Sequence, residues 1–304
     1  MKIAIALWEL NITGGTQRLA LELARNLKGL GHQVDIYCYY HDESVGYTEL
    51  FDGLSIKSIS KNPPAKKNLP KKNGGLFSTI VYFCKLYFKI IKNIFISEES
   101  IRELKKLLEK NHPIDYYDVI NPHDYLSYRI ARLIKHGNIV WTMNDIQRPP
   151  IKSRLWIHES IFNFFQKMLA RIEIRNIKDI IVLDTRNQGL CKNYYRKDAT
   201  IVRGAIDIKM FDSMHAIRDF RKKKFNIFLS SIFFSYRRFE DVVEAATILK
   251  KNGRDNFKIQ INGITSRDYN YYLSIKNLIT RRGLDDCIFI TPGLSEKQLL
   301  DAYL

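Results

Sequence analysis

Gly14 and Gly15 stand where a short apolar run gives way to a segment of helical spacing. Glycine at such a junction lets the backbone come close to a ligand and take a positive φ. The helix that follows would turn unpaired N–H groups and the positive end of its dipole toward the same place, which suits a phosphate. A plain tight turn is the structural alternative. Arg237 and Arg238 open another segment of helical spacing. Paired guanidinium groups clamp a diphosphate with charge-assisted hydrogen bonds and offset the charge of a leaving phosphate; two solvated arginines at a helix start are the alternative. Asn144-Asp145 follows a strand-like run, at the end where open parallel sheets bind ligands. Asparagine donates and accepts hydrogen bonds but cannot serve as a base near neutral pH, so Asn144 would hold a hydroxyl, or simply turn the chain. His123 is a further polar group at a strand end, a place where a histidine is often structural.

Other chemistries are disfavoured. The glycine spacing differs from the G-x-G-x-x-G of dinucleotide binders. Cys38, Cys84, Cys191 and Cys287 lie far apart, giving neither a metal-ligand pair nor a small disulfide framework, and a reducing compartment is the expectation. Metal-binding residues are expected to be none.

These groups need elements to hold them, and the pattern supplies an α/β chain. Strands are expected at Lys2–Leu7, Gln33–Tyr40, Leu54–Ser60, Asp118–Asn121, Asn138–Thr142, Asp179–Asp184 and Thr200–Arg203. Helices are expected between them: Thr16–Gly31, with Leu19, Leu23, Leu27 and Leu30 on one side, then Tyr125–Ile134 and Ile157–Ile177. A charged connector, Arg218–Lys224, precedes a second series. It comprises strand Phe225–Ser231, helix Arg238–Lys251, strand Phe257–Asn262 ending in Gly263, helix Tyr269–Arg282, strand Cys287–Thr291 and a helix opened by Ser295. Strands alternating with helices imply parallel sheets covered on both faces. The second series is short for a doubly wound domain and reads as incomplete.

The 304 residues are 45% hydrophobic and carry a formal charge of +17, a globular composition with a preference for anionic partners. Much of that charge sits in 61–96. Lys66, Lys67, Lys71 and Lys72 lie in its loop-like first half. Lys85, Lys89 and Lys92 share one face of an aromatic, apolar helix at Leu76–Ile96. Such a helix lies on an acidic membrane surface, with aromatics sunk and lysines toward headgroups. A buried helix with one solvated stripe is the alternative. Nucleic-acid binding is not expected, because no zinc pattern, RNP-like run or basic helix-turn-helix is present. The opening run is too short for a signal peptide, and no apolar stretch is long enough to span a membrane.

With these residues in hand, the chain resembles family 4 glycosyltransferases, which are retaining enzymes. Five segments carry the resemblance: Ile12-Thr13-Gly14-Gly15-Thr16-Gln17-Arg18; Tyr117-Asp118-Val119-Ile120-Asn121-Pro122-His123; Val140-Trp141-Thr142-Met143-Asn144-Asp145; Ile201-Val202-Arg203-Gly204-Ala205-Ile206-Asp207; and Arg237-Arg238-Phe239-Glu240-Asp241 with the strand ending at Gly263. The resemblance implies GT-B architecture, two Rossmann-like domains with the second incomplete. Residues 1–205 would form an acceptor-side domain with the basic insertion 61–96, and 206–304 a partial donor-binding domain. It implies hexosyl transfer from a nucleotide-sugar to a glycan or lipid-linked acceptor, as in polysaccharide or cell-envelope biosynthesis. The enzyme would sit peripherally on the cytoplasmic face of a membrane, with no cofactor and no metal; the lack of a D-x-D pair agrees. Gly14, Gly15, Arg237, Arg238 and Gly263 would bind the donor, its diphosphate lying between Gly15 and the arginines. Asn144 and Asp145 would lie at the reacting sugar.

Three departures temper the resemblance. Asn144 stands where many members carry histidine. Ser231, six residues before Arg237, stands where members carry an arginine. The family's pair of glutamates separated by seven residues does not occur after Gly263. A fragment of a longer protein is the expected reason. A catalytically inactive, sugar-binding or scaffold relative is the competing expectation.

Overall fold

The computed structural model describes residues 1–62, 98–124, 126–135, 137–144, 156–205, 225–265, 268–291, 293–294 and 296–303. The Leu76–Ile96 helix and nearly all of the basic insertion, Asp145, the Arg218–Lys224 connector and Ser295 lie outside the described residues. Chain contacts divide the protein into two compact units, Met1–Ala205 and Ile206–Leu304.

The first unit is a parallel α/β layer. Its strands are β1 (Lys2–Glu9), β2 (Gln33–Tyr40), β3 (Ser55–Ser60), β4 (Val119–Pro122), β5 (Val140–Met143), β6 (Asp179–Val182) and β7 (Thr200–Ile201). Four pair in the order β3-β2-β1-β4, three in the order β5-β6-β7. A parallel bridge between Ile120 and Ile139 lays β5 beside β4. The chain therefore leaves β1 in one direction and returns to its other side at β4. Such a reversal, at the carboxyl ends of β1 and β4, is where open sheets of this kind take ligands.

Alternation along the strands builds two cores. Ile3, Ile5, Leu7, Val34 and Ile36 face α1 (Gly15–Gly29) and pack with its Ala20, Leu21 and Ala24. Ala4 and Tyr37 face the other way. They join Ile101, Leu104 and Leu108 of α3 (98–111), and Tyr128 and Trp141. The expected leucine stripe of α1 is displaced. The fully buried face carries Ala20, Leu21 and Ala24, while Leu23 and Leu27 are only partly buried and Leu30 is exposed. Alanine adds nothing beyond Cβ, so the alanine face lets the helix approach the sheet most closely. The helix stops at Gly31, whose φ of +84° accompanies hydrogen bonds from His32 N to Leu27 O and Gly31 N to Lys28 O, a Schellman ending.

Three further helices complete this unit: the single turn α2 (Thr48–Phe51), α4 (Trp156–Glu173) and α5 (Thr185–Tyr195). The helix expected over Tyr125–Ile134 is instead a 3-10 segment, Ser127–Arg132. Asp124 accepts hydrogen bonds from the amides of Leu126 and Ser127, which tightens the turn at its start. Behind it, Tyr128 and Arg129 both donate to the fully buried Glu173 of α4, each at 2.8 Å.

The second unit contains β8 (Phe225–Ser230), α6 (Phe239–Lys251), β9 (Phe257–Asn262), α7 (Tyr269–Arg281), β10 (Ile288–Thr291) and α8 (Glu296–Tyr303). Its strands run parallel in the order β10-β9-β8. Val243 and Ala246 of α6, Ile275 and Ile279 of α7, and Ile259 and Ile261 of β9 form its core. Tyr303 of α8 packs edge-on against Phe228 of β8.

Candidate functional site

The site starts from three strand ends in the first unit. β1 runs out at Glu9 and the chain reaches α1 through Gly14, the N-cap residue. Gly14 has φ −119° and ψ 156°, an extended conformation open to any residue, and Gly15 is not left-handed either. This corrects the expectation that the pair is needed for positive φ. A Cβ on Gly15 would meet nothing within 4 Å. The chain itself therefore does not demand glycine there, and the space beside the first turn is open. No side chain caps α1 and no acid lies in its first turn. Its amides and dipole end thus face that space without a competing carboxylate. Gln17 anchors the turn by donating to Glu9 O at 3.0 Å.

His123 and Asp124 follow directly on β4, and both are tied to β1. His123 N donates to Ala6 O at 3.0 Å. The Asp124 carboxylate accepts from Trp8 N and from the amides of Leu126 and Ser127. It thereby fastens the end of β1 to the end of β4, across the reversal. The contribution of Asp124 was not foreseen from the sequence; its spacing to Ser127, an Asp-x-x-Ser cap pattern, was the available signal.

His123 is 1% exposed. Asn121 gives its amide to Val140 O and Thr142 Oγ1, so its Oδ1 faces His123 Nε2 at 2.7 Å and accepts the proton there. The other ring nitrogen, Nδ1, is then a bare lone pair, and none of the described residues donates to it. Burial pushes the His123 pKa down to about 4, so the ring is neutral at pH 7. At the end of β5, Asn144 Nδ2 donates to His123 O at 2.8 Å, while its buried Oδ1 has no donor among the described residues. Two buried acceptors, one just after β4 and one just after β5, thus have no donor among the described residues. Asn144 is where the sequence placed it, at a strand end. Asp145 lies outside the described residues.

The second unit places its arginines differently from each other. Arg238 is the N-cap residue of α6 and sits in the left-handed region at φ 53°. Its Nε and Nη2 are both given to Asp241, at 2.8 and 2.9 Å, and this pairing raises its pKa. Arg237 closes a 3-10 turn, Ser235–Arg237, and lies over the Tyr236 ring at 5.2 Å. The α6 N-terminus is satisfied from within. Phe239 N donates to Tyr271 Oη at 2.9 Å, Tyr271 gives its proton to Glu240, and Glu240 and Asp241 supply acids to the first turn. An anion there meets carboxylates before it meets amides. Gly263 has a packing reason of its own. A Cβ would stand 1.9 Å from the Ser231 carbonyl oxygen, because the ends of β8 and β9 come together at that point. Among the described residues no group of His, Cys, Asp and Glu is arranged to hold a metal ion.

HepE from Anabaena, in complex with UDP and glucose, matches with a TM-score of 0.65 at 12% identity, over 99% of this chain and 72% of that one. The architecture is GT-B. A glycosyltransferase from Rickettsia africae matches with a TM-score of 0.59 at 20% identity, over 99% of this chain and 70% of that one. WaaG, a glycosyltransferase involved in lipopolysaccharide biosynthesis, matches with a TM-score of 0.50 at 12% identity, over 98% and 72% of the two chains. No family model matches the chain, and no curated protein sequence does.

Proposed function

We propose that the chain transfers a hexosyl group from a nucleotide-sugar to a glycan or lipid-linked acceptor at an acidic membrane surface, with retention and without a metal. The observation that carries this reading is the uncapped, acid-free N-terminus of α1 beside the open space at Gly15, on a GT-B fold. HepE binds UDP-glucose in a solved complex, which makes a uridine diphosphate sugar the first donor to test.

In this reading the α1 amides hold the diphosphate. Asn144 and Asp145 position the acceptor. Its hydroxyl oxygen bonds to the anomeric carbon as the bond from that carbon to the phosphate oxygen breaks, and the hydroxyl proton passes to the leaving phosphate. No side-chain base is needed, which agrees with an asparagine at 144. The basic stretch 61–96 would hold the enzyme to the cytoplasmic face of the membrane.

Titration calorimetry with UDP-glucose tests the reading. Gly15→Val places a side chain in open space at an ordinary φ, so its melting temperature should equal that of the natural protein. Donor affinity should fall by at least ~10-fold, as expected when amides preorganised for a phosphate are covered. Equal affinity in the two proteins refutes the site. The inactive, sugar-binding reading is favoured by Arg238, whose guanidinium is engaged by Asp241, and by Ser231 in place of a cation. Binding of UDP-glucose without release of UDP, with acceptor present, would select it.

A further inference from the structure

We propose that the outward face of α4 is a second membrane-docking surface, built for acidic lipid. Phe164, Met168 and Ile172 follow one another at four-residue steps along this helix, and Phe165 stands beside them. They are 64%, 44%, 43% and 56% exposed, respectively. Four large apolar side chains on one solvent-facing stripe are not explained by the core, because α4 already has a buried side. Ala170 and Glu173 on the helix, with Ile174 and Ile177 just after it, are 1% exposed or less and face inward. A helix with a second, outward apolar stripe needs a second apolar partner.

The charges around the stripe select the partner. Lys167 and Arg171 lie on the helix beside it and Arg175 is exposed in the turn that follows. Arg171 Nε donates to Tyr194 O of α5 at 3.3 Å, which ties that side chain to the neighbouring helix and leaves Lys167 and Arg175 as the freer cations. The one acid in the described side chains of α4, Glu173, is turned inward to Tyr128 and Arg129. The outward face therefore presents aromatic and aliphatic groups beside cations, with no carboxylate among the described side chains. That is the composition of an interfacial helix: apolar side chains reach below the headgroups and cations pair with lipid phosphates and carboxylates. A second copy of the same face would bring Lys167, Arg171 and Arg175 against their own counterparts. A nucleic-acid backbone would leave Met168 and Ile172 unused. The surface stands on described side chains, so it depends neither on the transferase reading nor on the contact proposed for 61–96.

Flotation of the full chain with phosphatidylcholine vesicles, with and without phosphatidylserine, reads the surface directly. The natural protein should partition onto the mixed vesicles, and salt should weaken this. Phe164→Ser with Phe165→Ser and Met168→Ser should lower partitioning at least ~10-fold, and Lys167→Gln with Arg175→Gln by roughly 25-fold, about fivefold per cation. Melting temperature and UDP-glucose affinity should not change, so failure here stays distinct from failure of the donor site. Phe165→Trp should show added blue-shifted emission when mixed vesicles are supplied. The proposal is overturned if the serine variant partitions like the natural protein, or if the added emission of the Phe165→Trp variant ignores vesicles that the protein binds. It is also overturned if the serine variant changes only the oligomeric state, or if Lys85→Gln, Lys89→Gln and Lys92→Gln together abolish binding while the α4 variants do not.

Discussion

At the scale of single residues, Gly263 and His123 show how one atom sets a consequence. The Cβ of an alanine at 263 would stand 1.9 Å from a backbone oxygen, Ser231 O, so relief requires movement of the strand ends rather than of a side chain. Gly263→Ala should cost roughly 2–4 kcal/mol, at the upper end of overpacking changes, and urea unfolding measures it. Steric need thus accounts for this glycine without a ligand, in contrast to Gly15, where the chain leaves room. His123 gives a pH signature. The folded ring holds off protonation until about pH 4, while in the unfolded chain it takes a proton near the ordinary 6.5. Between those values the unfolded state binds more protons, so stability falls as pH drops through the window and is unaffected by this group above it. At pH 5 the loss amounts to roughly 2 kcal/mol. His123→Gln should therefore lose less stability than the natural protein between pH 7 and pH 5, by about that amount; parallel losses would show that the ring is not held neutral.

At the scale of elements, the contrast between α1 and α6 decides where an anion is welcome. Both helices follow a strand, but α1 begins with glycine and no acids, while α6 begins with Glu240 and Asp241 and a tyrosine hydroxyl already on Phe239 N. The link between the ends of β1 and β4 is Asp124. Asp124→Ala strands the amides of Trp8 and Ser127 in a buried setting and should cost about 3 kcal/mol in equilibrium unfolding, since each orphaned buried donor is worth ~1–3 kcal/mol. Much of this level was legible in the sequence. Gln33–Tyr40 and Phe257–Asn262 are the strands expected, residue for residue, because the first is buried on both faces and reads as a largely apolar run, while the second alternates buried Phe257, Ile259 and Ile261 with Lys258 and Gln260. The helical reading of Tyr125–Ile134 failed because over one or two turns 3-10 and α spacing place apolar residues alike. The leucine stripe of α1 misled because periodicity cannot tell which of two adjoining apolar faces comes closest. At the site, the positions of Gly14, Gly15 and Asn144 at element junctions were readable. The Asp124 bridge joins residues 116 positions apart and was not. The Arg238–Asp241 pair stands at a helical three-residue step, a spacing that by itself does not tell an internal ion pair from a free cation.

At the scale of the whole molecule, the two units have separate cores among the described residues. The clusters of the first run from Ile3 to Ala199 and that of the second from Phe233 to Ile288, with no residue in common. Separate cores make separate cooperative transitions the expectation in calorimetry. Ile120→Ala, deep in the first unit, and Ile261→Ala, deep in the second, each remove a fully buried side chain. Each should lower one transition and spare the other, by about 2–5 kcal/mol. Once the transitions are assigned in this way they become a reporter for the donor. A ligand stabilises what it binds by about 2.7 kcal/mol at a hundred times its Kd. UDP-glucose held by the α1 amides must therefore raise the transition that Ile120→Ala lowers, and Gly15→Val must abolish that rise. A donor that moves neither transition at saturating concentration would leave the GT-B fold standing and remove the transferase reading from it.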